Sequence, residues 1–345
     1  MEILVYDPQF ELKKVVENYN SLLWKRCYYD VGSFTISCPI TQDNVEALQL
    51  GRIVWVRGKK EGGVIESRTM QQNAAQNTMT VSGRFLESYM DRRVIQPTVN
   101  FSGRVEDAMR QLLSSLPMIT LGEIHDWDDQ VRFQATYKNL LDYEKKLARY
   151  AAYGFCFVPD FEDKTITFEV YRGENHSIEQ SDLPRVIFSE EYANMLSSDY
   201  TENDQLYKTV VYVGGEGDWR DKEIVVVGDD TATGLDRREV FCDASDLTSN
   251  GLTLNQYRDA LRQRGIDTLN KSMLSKSFMC QTNPNANFVY GKDYDVGDIV
   301  TIQKSSWGLA ENKRITEVTE IYEHGTPRIE PVFGDPLPET VNWEG

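Results

Sequence analysis

Imidazole is almost absent from this chain. Three histidines stand in 345 residues, His125, His176 and His324. None has a second histidine or a cysteine at metal-ligand spacing, and there is no HExxH helix, so a zinc site of the common kinds is excluded. The five cysteines, Cys27, Cys38, Cys156, Cys242 and Cys280, form no Cys-x-x-Cys pair. An odd, scattered set in a long chain argues against a disulfide framework, and all five read as buried thiols. No GxSxG elbow and no signature around a nucleophilic cysteine occur. No apolar run approaches the roughly 18 residues that a membrane helix needs. The opening MEILVYDPQF lacks the basic residues and apolar core of a signal peptide, so synthesis without export is expected. Positive charge is also short: 37 basic against 54 acidic side chains leave a net charge of -17. That balance argues against a grip on nucleic acid, which rests on phosphate neutralisation by Lys and Arg.

What is present is strand-forming sequence punctuated by turns. A length of 345 residues suggests two or three domains, and a 40% hydrophobic, 26% charged composition belongs to globular protein. Residues 2–6 alternate poorly but are strand-rich, and Asp7-Pro8 ends them with a turn. Leu22 to Pro39 reads as a strand bent or bulged at Gly32. Ile53 to Arg57 and Val64 to Met70 flank GKKEGG as a hairpin, and Thr78 to Ser82 adds a strand. Short strands at this spacing predict a small antiparallel barrel or sandwich. At about Pro97 the pattern turns helical. Val105, Ala108, Met109, Leu112 and Leu116 recur at helical spacing and stop at Pro117. Leu140, Tyr143, Leu147 and Ala151 predict a second helix between an Asn139 cap and a stop at Gly154, and a hairpin of Phe155 to Pro159 with Thr165 to Tyr171 follows.

Strands then resume. Lys208 to Val213 and Glu223 to Val227 flank GGEGD. This glycine-rich tip is followed by a strand rather than a helix N-terminus, so it reads as hairpin geometry and not as a phosphate cradle. Residues 253–277 predict a long helix with a Thr253/Gln256 capping box and an apolar face of Leu254, Tyr257, Leu261, Leu269 and Met273. Gly265 weakens or kinks it. Arg258, Arg262, Arg264 and Lys271 make a basic stripe on the other face, read as a solvated face or as a contact with an acidic neighbour. After Pro284 comes a three-stranded meander: the acidic turn Asp295-Val296-Gly297-Asp298 feeding Ile299 to Ile302, a loop closed by Trp307 and Gly308, Arg314 to Tyr322, and a last run ending at Phe333 and Gly334.

Chemistry-bearing clusters are few. GEIHDWDDQ gathers Glu123, Asp126, Asp128 and Asp129 around His125. A bound Ca²⁺ near Asp126–Asp129 is one reading, an exposed acidic loop the other, since the glycine and glutamate of a helix-loop-helix calcium site are missing. With 54 acids, paired carboxylates for sugar hydrolysis are always on offer. Trp127, Trp219 and Trp307 fall in predicted loops, where they would stack on sugars or plug contacts between domains or subunits. No catalytic, cofactor-binding or metal residue is assigned.

In order along the chain, the aromatic strand with Gly32, the hairpin, the helix-helix-hairpin unit, VVYVGGEG, the long helix, DVGD, RITEVTEIYE and EPVFGD resemble the baseplate-hub, tail-associated proteins at the tail tip of siphophages and prophages. The resemblance implies a mainly β (α+β) fold in which two antiparallel β-barrel or sandwich tube-like domains flank an inserted α+β domain. It divides the chain at 1–98, 99–188 and 189–345, with 189–230 able to pack back on the first domain. It further implies a structural, non-catalytic tail-tip protein without cofactor, closing the tail tube as a homotrimeric ring. Its partners would be a distal tail protein, the tail tube and a fibre or needle protein. DNA would pass through the lumen without specific binding, and three copies would carry 51 excess negative charges. Many relatives continue into a fibre or a peptidoglycan-cleaving module, whereas this sequence reaches Gly345 after GDPLPETVNWEG. A tail-associated peptidoglycan hydrolase and a carbohydrate-binding adhesin using the loop tryptophans are the alternatives.

Overall fold

The computed structural model describes residues 1–72, 77–116, 118–218, 220–283, 286–323 and 327–334. Pro117, Trp219, Pro284, His324 and the proline-rich stretch after Gly334, all singled out in the sequence, lie outside the described residues. β1 (Ile3–Tyr6) and β2 (Leu12–Val16) form a hairpin whose turn is held by Asp7, with Oδ1 accepting the amides of Gln9 (3.0 Å) and Glu11 (2.9 Å). The aromatic run expected as one strand bent at Gly32 is two, β3 (Ser21–Cys27) and β4 (Ser33–Pro39), paired antiparallel. Residues 28–32 leave the sheet because Tyr28 is drawn into a buried junction, and Asp30 Oδ1 accepts the Val31 amide (2.7 Å) in the turn. A short helix α1 (Gln42–Ala47), capped by Thr41, precedes β5 (Ile53–Val56), β6 (Gly62–Gln72) and β7 (Asn77–Phe85), and β5 and β6 form the expected hairpin. Alternation along β4 and β7 sends Phe34, Ile36, Cys38, Met79 and Val81 to one face, where they pack with Leu22 and Trp24.

A 3-10 segment, Leu86–Arg92, leads to β8 (Val99–Arg104), so after Pro97 a strand comes before the first helix. α2 (Val105–Leu112), β9 (Ile119–Leu121), β10 (Gln130–Ala135), α3 (Leu140–Ala151), β11 (Gly154–Asp160) and β12 (Thr165–Tyr171) follow. The helical periodicity holds: Val105, Ala108, Met109 and Leu112 share one core with Leu140, Tyr143 and Leu147. Asn139 caps α3, accepting the Asp142 amide (3.0 Å). The helix ends on Ala152 in the left-handed region rather than on Gly154, which opens β11.

Beyond β13 (Ile187–Ser189) and β14 (Met195–Asn203), a compact unit of β15 (Val210–Gly214), β16 (Ile224–Gly228) and β17 (Glu239–Asp243) is covered on one face by α4 (Leu254–Lys271). β15 and β16 are the expected hairpin, and β17 adds parallel to β15. The helix expected over 253–277 stops at Lys271, because β18 (Ser275–Thr282) is claimed by sheet pairing with β14 on one side and with a later strand on the other. Met273, expected on its apolar face, therefore lies past the helix and is 57% exposed, and Leu254, in its first turn, is 55% exposed. Gly265 lowers helix propensity, as expected, and its place in the helix has a packing reason. A Cβ there would lie 2.6 Å from Val227 Cγ2 and 2.9 Å from Val213 Cγ2, so the missing side chain is what lets α4 approach the sheet. Gly265→Ala adds about 1 kcal/mol of helix propensity. It is nonetheless expected to lower stability by a net of about 1–2 kcal/mol through overpacking, read as a lower urea midpoint.

β19 (Ile299–Lys304), β20 (Leu309–Tyr322) and β21 (Arg328–Gly334) make the expected meander. β20 also pairs with β3, so both ends of the chain enter one sheet of 13 strands. Its order is β14-β18-β21-β20-β3-β4-β7-β6-β5-β1-β2, with β19 beside β20 and β13 beside β19. Every pair is antiparallel except β13 with β19. The fold is mainly β, as expected. Among the described residues the strand path is open, with β14 and β2 at its two ends, β13 as a further edge on the branch through β19, and no closed barrel.

Candidate functional site

The DVGD turn sits where three parts of the chain meet. Asp298 reaches back and across at once: its Oδ2 accepts the Asp295 amide and its Oδ1 accepts the Glu174 amide, both at 2.7 Å. Tyr28, fully buried, donates from its hydroxyl to Ala152 O (2.8 Å) and accepts from the Gly173 amide (3.1 Å). The Arg314 guanidinium lies 5.0 Å from the centre of the Tyr28 ring and donates to Gly297 O. Arg26, only 16% exposed, donates to Glu61 Oε1 (2.7 Å), Tyr290 OH (2.8 Å) and Asp295 Oδ1 (2.5 Å). The first sheet strands, the helix-containing unit and the meander are thus joined through one polar junction, with charge-assisted hydrogen bonds at its centre. The cysteines take no part in cross-linking: Cys38, Cys156 and Cys280 are buried thiols, and Cys27 and Cys242 are half-buried.

Glu87 adjoins this junction from the 3-10 segment. It is buried, its Oε1 accepts the Phe157 amide (2.7 Å) and its Oε2 has no partner. Burial pushes its carboxyl up to about 8, against the pull of the Phe157 hydrogen bond. An unfolded glutamate titrates near about 4.3. Between those values the folded chain keeps a proton that the unfolded chain has lost, so stability falls as pH rises through this window. Glu87→Gln is expected to flatten that slope. Urea unfolding at pH 5 and pH 8 should show the unsubstituted chain losing on the order of 2–4 kcal/mol more than the variant.

The acidic loop is exposed at Glu123, Asp126 and Asp128, and several of its acids are paired within the fold. Asp126 pairs with Arg104, Asp128 Oδ1 accepts from Gln130 Nε2 (2.9 Å), and Asp129 pairs with Arg172 and accepts from Tyr153 OH (2.5 Å). Buried Glu106, which the sequence did not single out, accepts the His125 amide (3.1 Å). Among the described residues no group of three or more His, Cys, Asp or Glu side chains comes together to hold an ion. Glu123 contributes only its carbonyl, to Arg110 (3.2 Å). His176 is buried with Nδ1 2.8 Å from Pro184 O.

The remaining candidates are likewise occupied by the fold. Trp127 is stacked on His125 (4.4 Å between ring centres), set against Tyr153 (4.7 Å) and covered by Arg172 (4.6 Å). Trp307, 48% exposed, leans on Phe278 and lies under Lys304. The glycine-rich tip is tied to α4, the Glu216 amide donating to Tyr257 OH (2.6 Å). Of the basic stripe, Arg258 pairs with Glu223, Arg262 with Asp259 and Arg264 with Asp246, while Lys271 faces a cleft. No helix among the described residues is long and apolar enough to cross a membrane.

A family model described as Siphovirus ReqiPepy6 Gp37-like protein matches residues 2–335. Among solved structures, the tail protein from Neisseria meningitidis MC58 superposes with a TM-score of 0.60 at 13% identity, over 97% of this chain and 96% of that one. The prophage MuSo2 43 kDa tail protein from Shewanella oneidensis gives 0.59 at 11% identity, over 97% and 98%. The prophage tail protein gp18 from Listeria monocytogenes EGD-e gives 0.54 at 11% identity, over 97% and 95%. At these identities the likeness is one of fold. No curated protein matches the sequence.

Proposed function

The chain belongs to the siphovirus ReqiPepy6 Gp37-like family of tail proteins, and from that premise we propose that it is the structural hub of a tail tip, a ring of copies that closes the tail tube and lets DNA pass. The observation that supports ring formation is the open 13-stranded sheet, whose edges β2 and β14 stand at opposite ends of the strand path. An edge strand presents unpaired N–H and C=O groups that another chain can satisfy. Two different edges on one copy favour head-to-tail contacts, and such contacts close into rings when the rotation allows. Three copies form the ring in this reading. A distal tail protein and the tail tube lie on one side of it, a fibre or needle protein on the other. The net charge of -17 per copy keeps the DNA from adhering to the lumen. Its role is structural, in attachment and DNA delivery, without catalysis.

Light scattering over a concentration series, with and without purified tail tube and distal tail protein, tests this. The expected result is a species near 119 kDa, three times the 39.7 kDa chain, formed alone or on the tube. A monomer under both conditions overturns the ring.

A further inference from the structure

An open cleft of about 560 Å³ lies between the C-terminal turns of α3 and α4 and the sheet strands β3, β18 and β20. Its charged lining is Lys25, Lys146, Arg149 and Lys271 against Asp30, Asp267 and Glu317. Glu317 is already paired with Lys25 (2.6 Å) and Asp30 with Lys145 (2.7 Å). Asp267 accepts from Gln263 (3.2 Å), and burial pushes its carboxyl up. Lys146, Arg149 and Lys271 form no close salt bridge among the described residues; Lys146 and Lys271 feel the charge of Asp267 nearby, and Lys146 and Arg149 lie over the rings of Tyr143 (5.1 Å) and Tyr29 (5.3 Å). Burial, and then Lys271 beside it, lowers the Lys146 amine. Apolar surface is exposed at the same place: Met273, Met279 and Leu206 are 57%, 43% and 52% accessible.

A second hollow of about 310 Å³ adjoins the first, sharing Met273 and Leu274 with it, and is lined by Lys276, Lys313, Arg314 and Gly334. Gly334 ends β21, and the sequence that leaves it is DPLPETVNWEG. That stretch holds three acids, Asp335, Glu339 and Glu344, no Lys or Arg, and three large apolar side chains, Leu337, Val341 and Trp343. Its charge and apolar content are the complement of the cleft, and it departs from the cleft's rim. Eleven residues reach up to about 36 Å when extended. The tether gives an effective concentration on the order of millimolar without a strong contact at any one residue.

We propose that residues 335–345 dock in cis along this cleft, with their acids against Lys146, Arg149 and Lys271 and their apolar side chains over Met273, Met279 and Leu206. The docked segment bridges α3 and α4 to the sheet. Because the pairs are surface pairs, the contact is salt-sensitive.

Zero-length carbodiimide cross-linking of the full chain, mixed from ¹⁴N and ¹⁵N material, tests the proposal by peptide mapping. The expected result is a link from Asp335, Glu339 or Glu344 to Lys146 or Lys271 within one isotope, reduced about fivefold or more in 0.5 M salt, where exposed charges are strongly screened. Mixed-isotope links overturn it in favour of a second copy, and so does the absence of any link to these two lysines at low salt. As a second reading, Glu339→Gln with Glu344→Gln in the full chain is expected to raise acetylation of Lys146 and Lys271 by about threefold or more, with an unchanged melting midpoint. Unchanged acetylation also overturns the docking.

Discussion

Gly297→Ala is expected to destabilise the chain by about 4 kcal/mol, through backbone strain added to overpacking. Gly297 has φ +102, a region that side chains with a Cβ rarely adopt, and a Cβ there would fall 2.4 Å from Tyr28 Cε2. The ring has nowhere to retreat. Its hydroxyl is held by Ala152 O and the Gly173 amide, its face by Arg314, and Gly173 itself is pressed against Gly297 O. Gly308→Ala supplies the control. Gly308 also has positive φ, +67, but a Cβ there meets nothing within 4 Å, so its cost should stay near about 1 kcal/mol. Urea unfolding of the two variants reads what the wider φ and the Tyr28 contact together add to an ordinary left-handed cost. Equal losses would mean that the junction yields.

Arg26→Met should cost about 3–5 kcal/mol, the loss typical of breaking a buried ion pair from one side. Glu61, 5% exposed, would keep its charge without its guanidinium partner, and Asp295 and Tyr290 would each lose a donor. Adding Glu61→Gln to Arg26→Met removes the stranded charge, so the double variant is expected to recover at least about 1.5 kcal/mol of that loss. Additive losses in the cycle would show that Arg26 acts through packing alone. Arg26→Lys should recover little, since one ammonium cannot serve three acceptors placed around a planar fork.

How far the fold could be read depended on where each residue's partner lies in the chain. The meander was legible because its signals are local: Asp295-Val296-Gly297-Asp298 turns, and the β-branched runs that follow have their pairing strands next in sequence. The β15–β16 hairpin and the buried faces of α2 and α3 were legible for the same reason. The break between β3 and β4 was not, because the pull on Tyr28 comes from Gly173, 145 residues away. Helical spacing runs on to Met273, and nothing local shows that Ser275–Thr282 is claimed by β14 and β21. The acidic loop 123–129 could be read by composition as a cation site or as an exposed acidic loop, and the cations that meet it are Arg104, at the end of β8, and Arg172, just past β12. For the junction a sign was present and unread: a lone arginine, Arg26, within the aromatic strand run LLWKRCYY.

Electron cryomicroscopy of tail particles carrying this chain tests the central claim most directly. The account predicts a ring of three copies at the distal end of the tube, with β2 of one copy facing β14 of the next and the DNA path through the centre. Density for the chain repeated along the tube, or particles with a closed tip that lack the chain, would contradict it.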